Sequence, residues 1–226
     1  MLVREGKVPA DAAVVIVPGP RNDLLQPELD ALDAYIDKRD GKVLVMVNPF
    51  QGEALRKHLQ KYGFALGNDL VVEANPIGRL LGFEPYVLVV QQYERHPITR
   101  DLGGVMTIFP MTRSVGPVTP QPKGMSFDPL ARTSPQSWGE TNRAELDRGV
   151  AKPDPGDPKG PLTVAAVATR DKARLVVYGT STVASNQGLN LQGNRDFFLN
   201  TVSWLAEEED QVSIRPKDVK QTPVFM

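Results

Sequence analysis

The residues of this chain that are best placed to take part in a reaction are hydroxyl side chains in a turn between a strand and a helix. Thr180 and Ser181 follow the apolar segment Ala173–Tyr178, and an amphipathic helix begins near Asn194, a good N-cap residue type. A strand that runs through a small-residue turn into a helix places ligands or catalytic groups at the carboxyl end of a parallel sheet. The turn 179–186 is therefore the first candidate site.

Ser181 with His96 and either Asp101 or Asp196 is the best serine-hydrolase combination in the sequence. Such an enzyme needs a serine on a sharp elbow, a histidine base and an acid that orients the histidine. The turn lacks the second glycine of a G-x-S-x-G elbow, and nothing in the sequence brings His96 to Ser181. The alternative is that these hydroxyl groups bond to backbone groups of the turn, as Ser and Thr side chains commonly do.

Two glycine-containing turns, 18–20 and 179–181, are candidates for phosphate binding, because exposed N–H groups and helix N-termini attract anions. Proline lacks that N–H, and the chain has neither a G-x-G-x-x-G motif nor a P-loop. For a metal, Asp154 with Asp157 offers too few ligands. We therefore expect no cofactor and no metal.

Two polar loop motifs, 96–100 and 133–140, carry further candidates for recognition. Loops on a rigid sheet are where binding usually occurs, and Trp138 could anchor a protein partner or a sugar. The alternative is structural: His96 and Arg100 hydrogen-bond a long loop, and Trp138 fixes that loop to the core. The predicted binding residues are His96, Arg100, Ser134, Trp138, Thr180, Ser181 and Asn186.

The composition excludes several classes of partner and chemistry. The 226 residues include 26 basic and 27 acidic side chains, a net charge of -1, which favours neither nucleic acid nor an anionic membrane. The absence of cysteine excludes disulfides, thiolate zinc sites and a cysteine nucleophile but leaves the compartment open. No apolar run approaches the ~20 residues that cross a bilayer. The polar start, followed almost at once by a strand, indicates a piece of a longer protein.

Strands and a helix at the two ends of the chain define the fold class. The runs 12–17 and 42–47 are apolar apart from Lys42, as in strands buried on both faces, and an amphipathic helix that starts near Pro27 and ends before Gly41 separates them. A right-handed crossover makes these strands parallel. The strands 162–168 and 174–178 are too close for anything but a hairpin. We predict a three-layer α/β fold whose mostly parallel, mixed sheet is flanked by helices.

The middle of the chain gives weaker signals. Between 117 and 161 proline and glycine are dense, which predicts a long surface excursion rather than a domain boundary. We therefore treat 1–226 as a single α/β domain. His58, beside basic neighbours on the second helix, is expected to be exposed. Further short strands are predicted at 70–72, 86–90, 105–109 and 113–116.

An ordered set of fragments along nearly the whole chain resembles a known family. The fragments are 96–100, Phe109-Pro110, 133–138, 159–161, 174–179, Ser185-Asn186, 193–196, 204–206 and 213–217. Together they resemble the soluble region of the gliding-motility-type (GldG-like) ABC transporter auxiliary proteins, of which this chain would be the C-terminal part. The resemblance implies a glutamine-amidotransferase-like, flavodoxin-like α/β fold, related to modules of intraflagellar transport proteins. Amidotransferase chemistry requires an elbow cysteine, which this chain lacks.

Members of that family resemble membrane-tethered proteins with a large extracytoplasmic region that work with an ABC permease and ATPase. The resemblance implies these subunits or other envelope proteins as partners, with membrane contact only through segments outside this chain. We therefore expect a non-enzymatic binding or assembly domain on the extracytoplasmic (periplasmic) face of the inner membrane, with a protein partner or an envelope component as its ligand. The alternative is a hydrolase or small-ligand enzyme with its site at the turn 179–186.

Overall fold

The structure, a computed structural model, describes residues 5–208, so the fragment 213–217 of the family resemblance lies outside the described residues. The strands are β1 Val15–Pro18, β2 Lys42–Met46, β3 Phe64–Leu66, β4 Leu70–Glu73, β5 Val87–Val90, β6 Gln92–Tyr93, β7 Thr107–Pro110, β8 Val115–Pro117, β9 Asp128–Arg132, β10 Ser137–Glu140, β11 Thr163–Arg170 and β12 Ala173–Tyr178. The α-helices are α1 Gln26–Arg39, α2 Glu53–Leu59, α3 Pro76–Leu80, α4 Arg143–Leu146 and α5 Asn194–Leu205. Gln60–Tyr62 and Thr182–Ala184 form single 3-10 turns.

Six strands form the main sheet in the order β1-β2-β12-β11-β9-β6. The β1–β2 and β2–β12 pairs are parallel, which confirms the predicted strand-helix-strand unit. The β12–β11, β11–β9 and β9–β6 pairs are antiparallel. The sheet is mixed, but our expectation that it is mostly parallel is wrong. The tight β11–β12 hairpin reverses the strand direction, so the parallel strands occupy only one side of the sheet.

The two faces of the sheet bury different side chains, which gives the fold its layers. Successive strand residues point to opposite faces. Val43 and Val45 of β2 pack in the cluster that contains the apolar faces of α1 and α2. Leu44 and Met46 pack in the cluster that contains Phe197, Trp204 and Leu205 of α5. Helices therefore cover both faces of the sheet, as the sequence predicted.

The segment 117–161 is not a surface excursion throughout, which corrects a prediction. Its strand β9 lies inside the main sheet, with Leu130 and Ala131 fully buried. Pro129 is tolerated there because β6 pairs only with Ala131 and Arg132, so Pro129 faces no β6 strand residue that needs its N–H. The register of β9 against β11 also shifts near this point. The sequence did not predict this strand because only two apolar residues lie between Pro129 and the next proline.

Two side chains differ from their expected roles. Gly193 occupies the N-cap of α5. Asn194 is buried instead, where its Oδ1 accepts from the Ile108 N–H at 2.7 Å and its Nδ2 donates to the Ile108 carbonyl at 2.8 Å. His58 is largely covered, with its Nε2 2.7 Å from Asp33 Oδ1. Both side chains thus join separate elements: Asn194 ties α5 to β7, and His58 ties α2 to α1.

Three pairs of short strands, β4–β10, β3–β8 and β5–β7, lie outside the main sheet. The predicted strands at 70–72 and 86–90 are confirmed as β4 and β5. The strand expected at 113–116 begins only at Val115, and Thr112 and Arg113 instead form a buried connection. No helix within residues 5–208 is long and apolar enough to cross a membrane.

Candidate functional site

The hydroxyl group of Ser181 lies where the parallel strands β1, β2 and β12 end. Its Oγ and its backbone N–H both donate to Asn48 Oδ1, at 3.0 and 2.8 Å. Gly19 lies so close that an added Cβ would be 2.5 Å from Ser181 Oγ. Ser181 is therefore bonded to an amide oxygen that comes from the end of β2, and no histidine occupies that position.

Thr180 is fully buried beside Ser181. Its Oγ1 donates to the Pro110 carbonyl at 3.0 Å and accepts from the Thr182 N–H at 3.1 Å. Asn186, the last residue of the predicted turn site, is exposed. Thr180 thus bonds a backbone group of the turn, as the structural alternative predicts, whereas Ser181 Oγ bonds the Asn48 side chain.

Arg113 is buried near the carboxyl ends of β2 and β12. Its side chain has no exposed surface; Nε donates to the Gly67 carbonyl at 2.7 Å and Nη1 to the Gln51 carbonyl at 2.9 Å. Its backbone N–H donates to the Gly179 carbonyl at 2.9 Å. Burial lowers the pKa of Arg113 to about 10; the Asp69 carboxylate opposes this shift and the Arg56 charge adds to it. We call Asn48, Thr112, Arg113, Thr180 and Ser181 the closed edge.

His96 lies at the other end of the sheet. Its ring packs on Trp204 with 4.9 Å between ring centroids, and the Arg174 guanidinium lies 4.6 Å from the same indole ring. Arg174 is near the start of β12, so the seven positions from Arg174 to Ser181 span up to about 23 Å at ~3.3 Å per strand residue. The structure therefore does not bring together the serine and histidine of the hydrolase hypothesis. Arg100 is half-exposed, with its Nε 3.4 Å from Asp101 Oδ2.

Ser134 and Trp138 lie together near the β4–β10 pair. Ser134 donates twice to the Glu73 carboxylate, from its N–H at 3.1 Å and from its Oγ at 2.7 Å. Trp138 is half-buried, and its Nε1 donates to Glu140 Oε2 at 3.3 Å. The Ser134 bonds fix the loop 133–137 to β4, whereas the Trp138 bond stays within β10.

Three carboxyl groups meet beside Trp138. Single oxygens of Glu140, Asp154 and Asp157 lie within 4.8 Å of one another. Glu140 also accepts from the Asn142 N–H at 2.9 Å, and Asp157 accepts from Thr141 Oγ1 at 2.7 Å and from the Asp154 N–H at 2.8 Å. The sequence pointed to two of these residues; the structure adds Glu140. Hydrogen-bond donors of this chain already bond the two buried carboxylates. The cluster therefore links β10 to the loop 154–157.

A groove opens on the outer side of the closed edge. Its larger cavity, about 650 Å³, has apolar walls that include Phe50, Tyr86, Met111 and Val150. A smaller polar cavity of about 410 Å³ includes Arg56, Asn68 and Thr141. Phe50, Gln51 and Arg143 line both cavities, and we call the two together the open groove.

Sequence reasoning did not find the open groove. Its residues come from segments far apart in the chain, and none forms a recognisable motif. One signal was present: Phe50 and Gln51 lie in the loop between β2, which ends at Met46, and α2, which begins at Glu53, and the carboxyl ends of parallel strands commonly position ligand sites. The helix that follows, α2, has its own N-terminal N–H groups bonded by Asp23, whose carboxylate accepts from Ala54 at 2.6 Å and Leu55 at 3.2 Å.

One solved structure shares the layered α/β fold. The N-terminal domain of mmIFT52 is similar with a TM-score of 0.64 at 19% identity, over 87% of this chain and 78% of that chain. A Bacteroides uniformis protein described as ThuA-like has a TM-score of 0.48 at 15% identity, over 86% of this chain and 69% of that one. The mmIFT52 likeness confirms, for the fold, the implied relation to intraflagellar transport modules.

A family described as an ABC-type uncharacterized transport system matches residues 2–202. The chain belongs to this family of ABC transporter auxiliary proteins, which confirms the GldG-like resemblance read from the ordered fragments. A search of curated proteins gives no match.

Proposed function

We propose that this chain is a non-enzymatic binding domain of an ABC-type transport system, placed on the extracytoplasmic face and bound to a protein partner or an envelope component. Membership of the auxiliary transport family supports the transport role. The observation that carries the non-enzymatic part is the bonding of Ser181. A serine nucleophile requires a base at its hydroxyl group, and here the hydroxyl donates to Asn48 Oδ1.

A neutral amide oxygen cannot take the proton that a serine loses on attack, because amides are not basic near neutral pH. The neighbouring hydroxyl, Thr180, is buried and bonded to Pro110, so it offers no alternative nucleophile. The hydrolase alternative for the turn 179–186 therefore has no observation in its favour.

The transport role is tested by co-purification from native membranes. A tagged copy at the chain's own locus should retain the permease and ATPase of one transport system after mild detergent extraction, identified by mass spectrometry. The loop 96–100 is our proposed protein contact, because Arg100 is half-exposed on it. Arg100→Glu should weaken retention of these subunits, while Arg195→Glu, a charge reversal on α5, should not. Retention of other proteins in their place would contradict the proposal.

The extracytoplasmic placement has a separate test. Because these 226 residues lack cysteine, a single Lys172→Cys change in the exposed β11–β12 turn introduces one thiol into this domain. A membrane-impermeant maleimide should label this thiol in intact cells. Labelling only after the cells are broken would place the domain on the cytoplasmic side.

A further inference from the structure

The polar end of the open groove carries two guanidinium groups that the chain itself uses little. Arg56 is half-buried on the wall of the smaller cavity and, among residues 5–208, has no ion-pair partner within 4.0 Å. Arg143 is mostly exposed; its Nε is 4.0 Å from Asp147, and its guanidinium lies 5.7 Å from the Phe50 ring centroid. Both can therefore turn toward a ligand without breaking a strong internal bond.

The acidic group that lines the smaller cavity is already paired with a lysine. Glu53 also lines the smaller cavity, but Lys57 Nζ lies 2.6 Å from its carboxylate. This hydrogen bond is the main reason that the pKa of Glu53 is lowered, with a smaller effect from Arg56. A negative charge that is bonded to a lysine competes weakly with a ligand for the guanidinium groups.

A third guanidinium group lies directly behind the cavity wall. Arg113 bonds the carbonyl groups of Gln51 and of Gly67, and Gln51 and Asn68 line the smaller cavity. Arg113 Nη2 is buried and has no hydrogen-bond partner within the part of the chain that the structure describes. The Arg56 charge contributes to the lowered pKa of Arg113, so an anion beside Arg56 would relieve a repulsion already present.

The other end of the groove is mostly apolar, although Glu84 and Asp147 also line the larger cavity, with Asp147 Oδ2 4.0 Å from Arg143 Nε. Tyr86 and Val150 are each 42% exposed and Met111 45% exposed, although all three line a concave surface. The cavity of about 650 Å³ lies within the range of small-ligand sites. Exposed apolar walls joined to a cationic end are complementary to a molecule that is apolar at one end and negatively charged at the other.

We propose that the open groove binds a small amphiphilic anion. Its carboxylate or phosphate group contacts Arg56 and Arg143, and its apolar body fills the larger cavity. Arginine is suited to this contact because its planar fork can make two parallel hydrogen bonds with either group. This ligand site is distinct from the protein contact at the loop 96–100.

Calorimetric titration of the 226-residue chain tests the proposal with defined probes. Octanoate, octyl phosphate and neutral octan-1-ol are compared at constant ionic strength and below their aggregation concentrations. One anionic probe should bind with 1:1 stoichiometry and roughly tenfold or more tighter than octan-1-ol, as expected for hydrogen bonds to a charged group. The comparison of octanoate with octyl phosphate decides which anionic group is preferred. Hexanoate should bind more weakly than octanoate, by about fourfold for each methylene removed.

Variants separate this site from general attraction of anions to the surface. Arg56→Gln and Arg143→Gln should each weaken binding of the anionic probe roughly tenfold and leave octan-1-ol binding unchanged. Arg148→Gln, at an exposed arginine that lines neither cavity, is the matched control and should bind as the wild type does. Val150→Asp should weaken the anionic probes by placing a carboxylate in the apolar cavity. Circular dichroism checks that each variant is folded.

Equal affinity for octanoate, octyl phosphate and octan-1-ol would overturn the proposal, as would wild-type affinity in Arg56→Gln. Absence of a chain-length effect would overturn the assignment of the apolar cavity. A chain that retains its permease and ATPase but binds no anionic probe would refute this ligand site and leave the proposed transport role standing.

Discussion

The closed edge and the open groove lie on opposite sides of the Gln51 backbone and use arginine in opposite ways. In the closed edge, Arg113 is fully buried and donates to the Gly67 and Gln51 carbonyl groups. In the open groove, Arg56 and Arg143 point into cavities and make at most weak contacts with the chain. Arginine thus stabilises the fold on one side of Gln51, whereas on the other side it is available for recognition.

This difference teaches which polar groups near a sheet edge indicate function. A buried polar group contributes to stability only when its partners are present, and its removal leaves those partners unpaired. An exposed guanidinium group with no strong partner contributes little to folding. Substitutions at the closed edge should therefore lower the free energy of unfolding, whereas substitutions in the open groove should change only binding.

Arg113→Met should have the largest effect of the substitutions considered. Methionine has a similar length but leaves two carbonyl groups unpaired and the buried Asp69 carboxylate without a nearby cation. We expect a loss of about 3 kcal/mol in the free energy of unfolding, measured by urea denaturation. Arg148→Met, at an exposed arginine, is the control and should change little. A loss below about 1 kcal/mol in Arg113→Met would remove the basis for the comparison.

Asn48→Ala should have the next largest effect. It leaves both the N–H and the hydroxyl group of Ser181 without their shared acceptor, so we expect a loss of about 2 kcal/mol. Ser181→Ala removes only one of these bonds and should cost about 1 kcal/mol. Thermal unfolding of both variants provides the measurement. A larger loss in Ser181→Ala than in Asn48→Ala would contradict the proposed bonding.

Tyr178 gives a pH dependence at the end of β12, directly before the closed edge. Burial raises the pKa of Tyr178 above its ordinary value, and its hydroxyl group bonds to Thr201. The unfolded chain ionises near the ordinary pKa of ~10 while the folded chain keeps the proton. The stability is therefore fully present below that pH and falls above it.

Tyr178→Phe lacks this ionisation, so the two stabilities should converge at alkaline pH. Near pH 8 the wild type should be about 1 kcal/mol more stable, because the variant loses one buried hydrogen bond. Above pH ~10 this difference should shrink by up to ~1.4 kcal/mol per pH unit. Urea denaturation at a series of pH values measures it, and a constant difference would show that Tyr178 does not contribute this pH dependence.

Arg56→Gln and Arg143→Gln should have the smallest effects on folding. Neither side chain has a strong partner in the described part of the chain, so we expect changes within about 0.5 kcal/mol. Differential scanning calorimetry measures the midpoints of unfolding. A loss above about 1.5 kcal/mol in either variant would mean that the open groove, like the closed edge, is built for stability.

Much of the fold could be predicted because its central elements have strong local patterns. The apolar runs of β1 and β2 and the short polar segment before β12 are sufficient to predict a parallel unit and a hairpin. The strand β9 could not be predicted, since its position depends on pairing with β11 and its own sequence contains Pro129. For the same reason, the sequence did not predict that antiparallel strand pairs outnumber parallel pairs in the main sheet.

The candidate site was less predictable than the fold. The turn at Thr180 and Ser181 was found because it follows an apolar strand, and its structural role was one of the two interpretations offered. The burial of Arg113 gave no sequence signal, because an arginine becomes buried only when distant carbonyl groups surround it. Phe50, Tyr86 and Arg143 line the same groove but come from three separate segments, so no local spacing relates them.

The bond between Arg113 and the Gln51 carbonyl has a consequence for the speed of recognition. It holds the backbone at the junction of the two cavities in place before any molecule arrives. A receptor surface that is already ordered loses little conformational entropy on association. We therefore expect rapid association at the groove, with differences between occupants arising mainly from how quickly each one leaves.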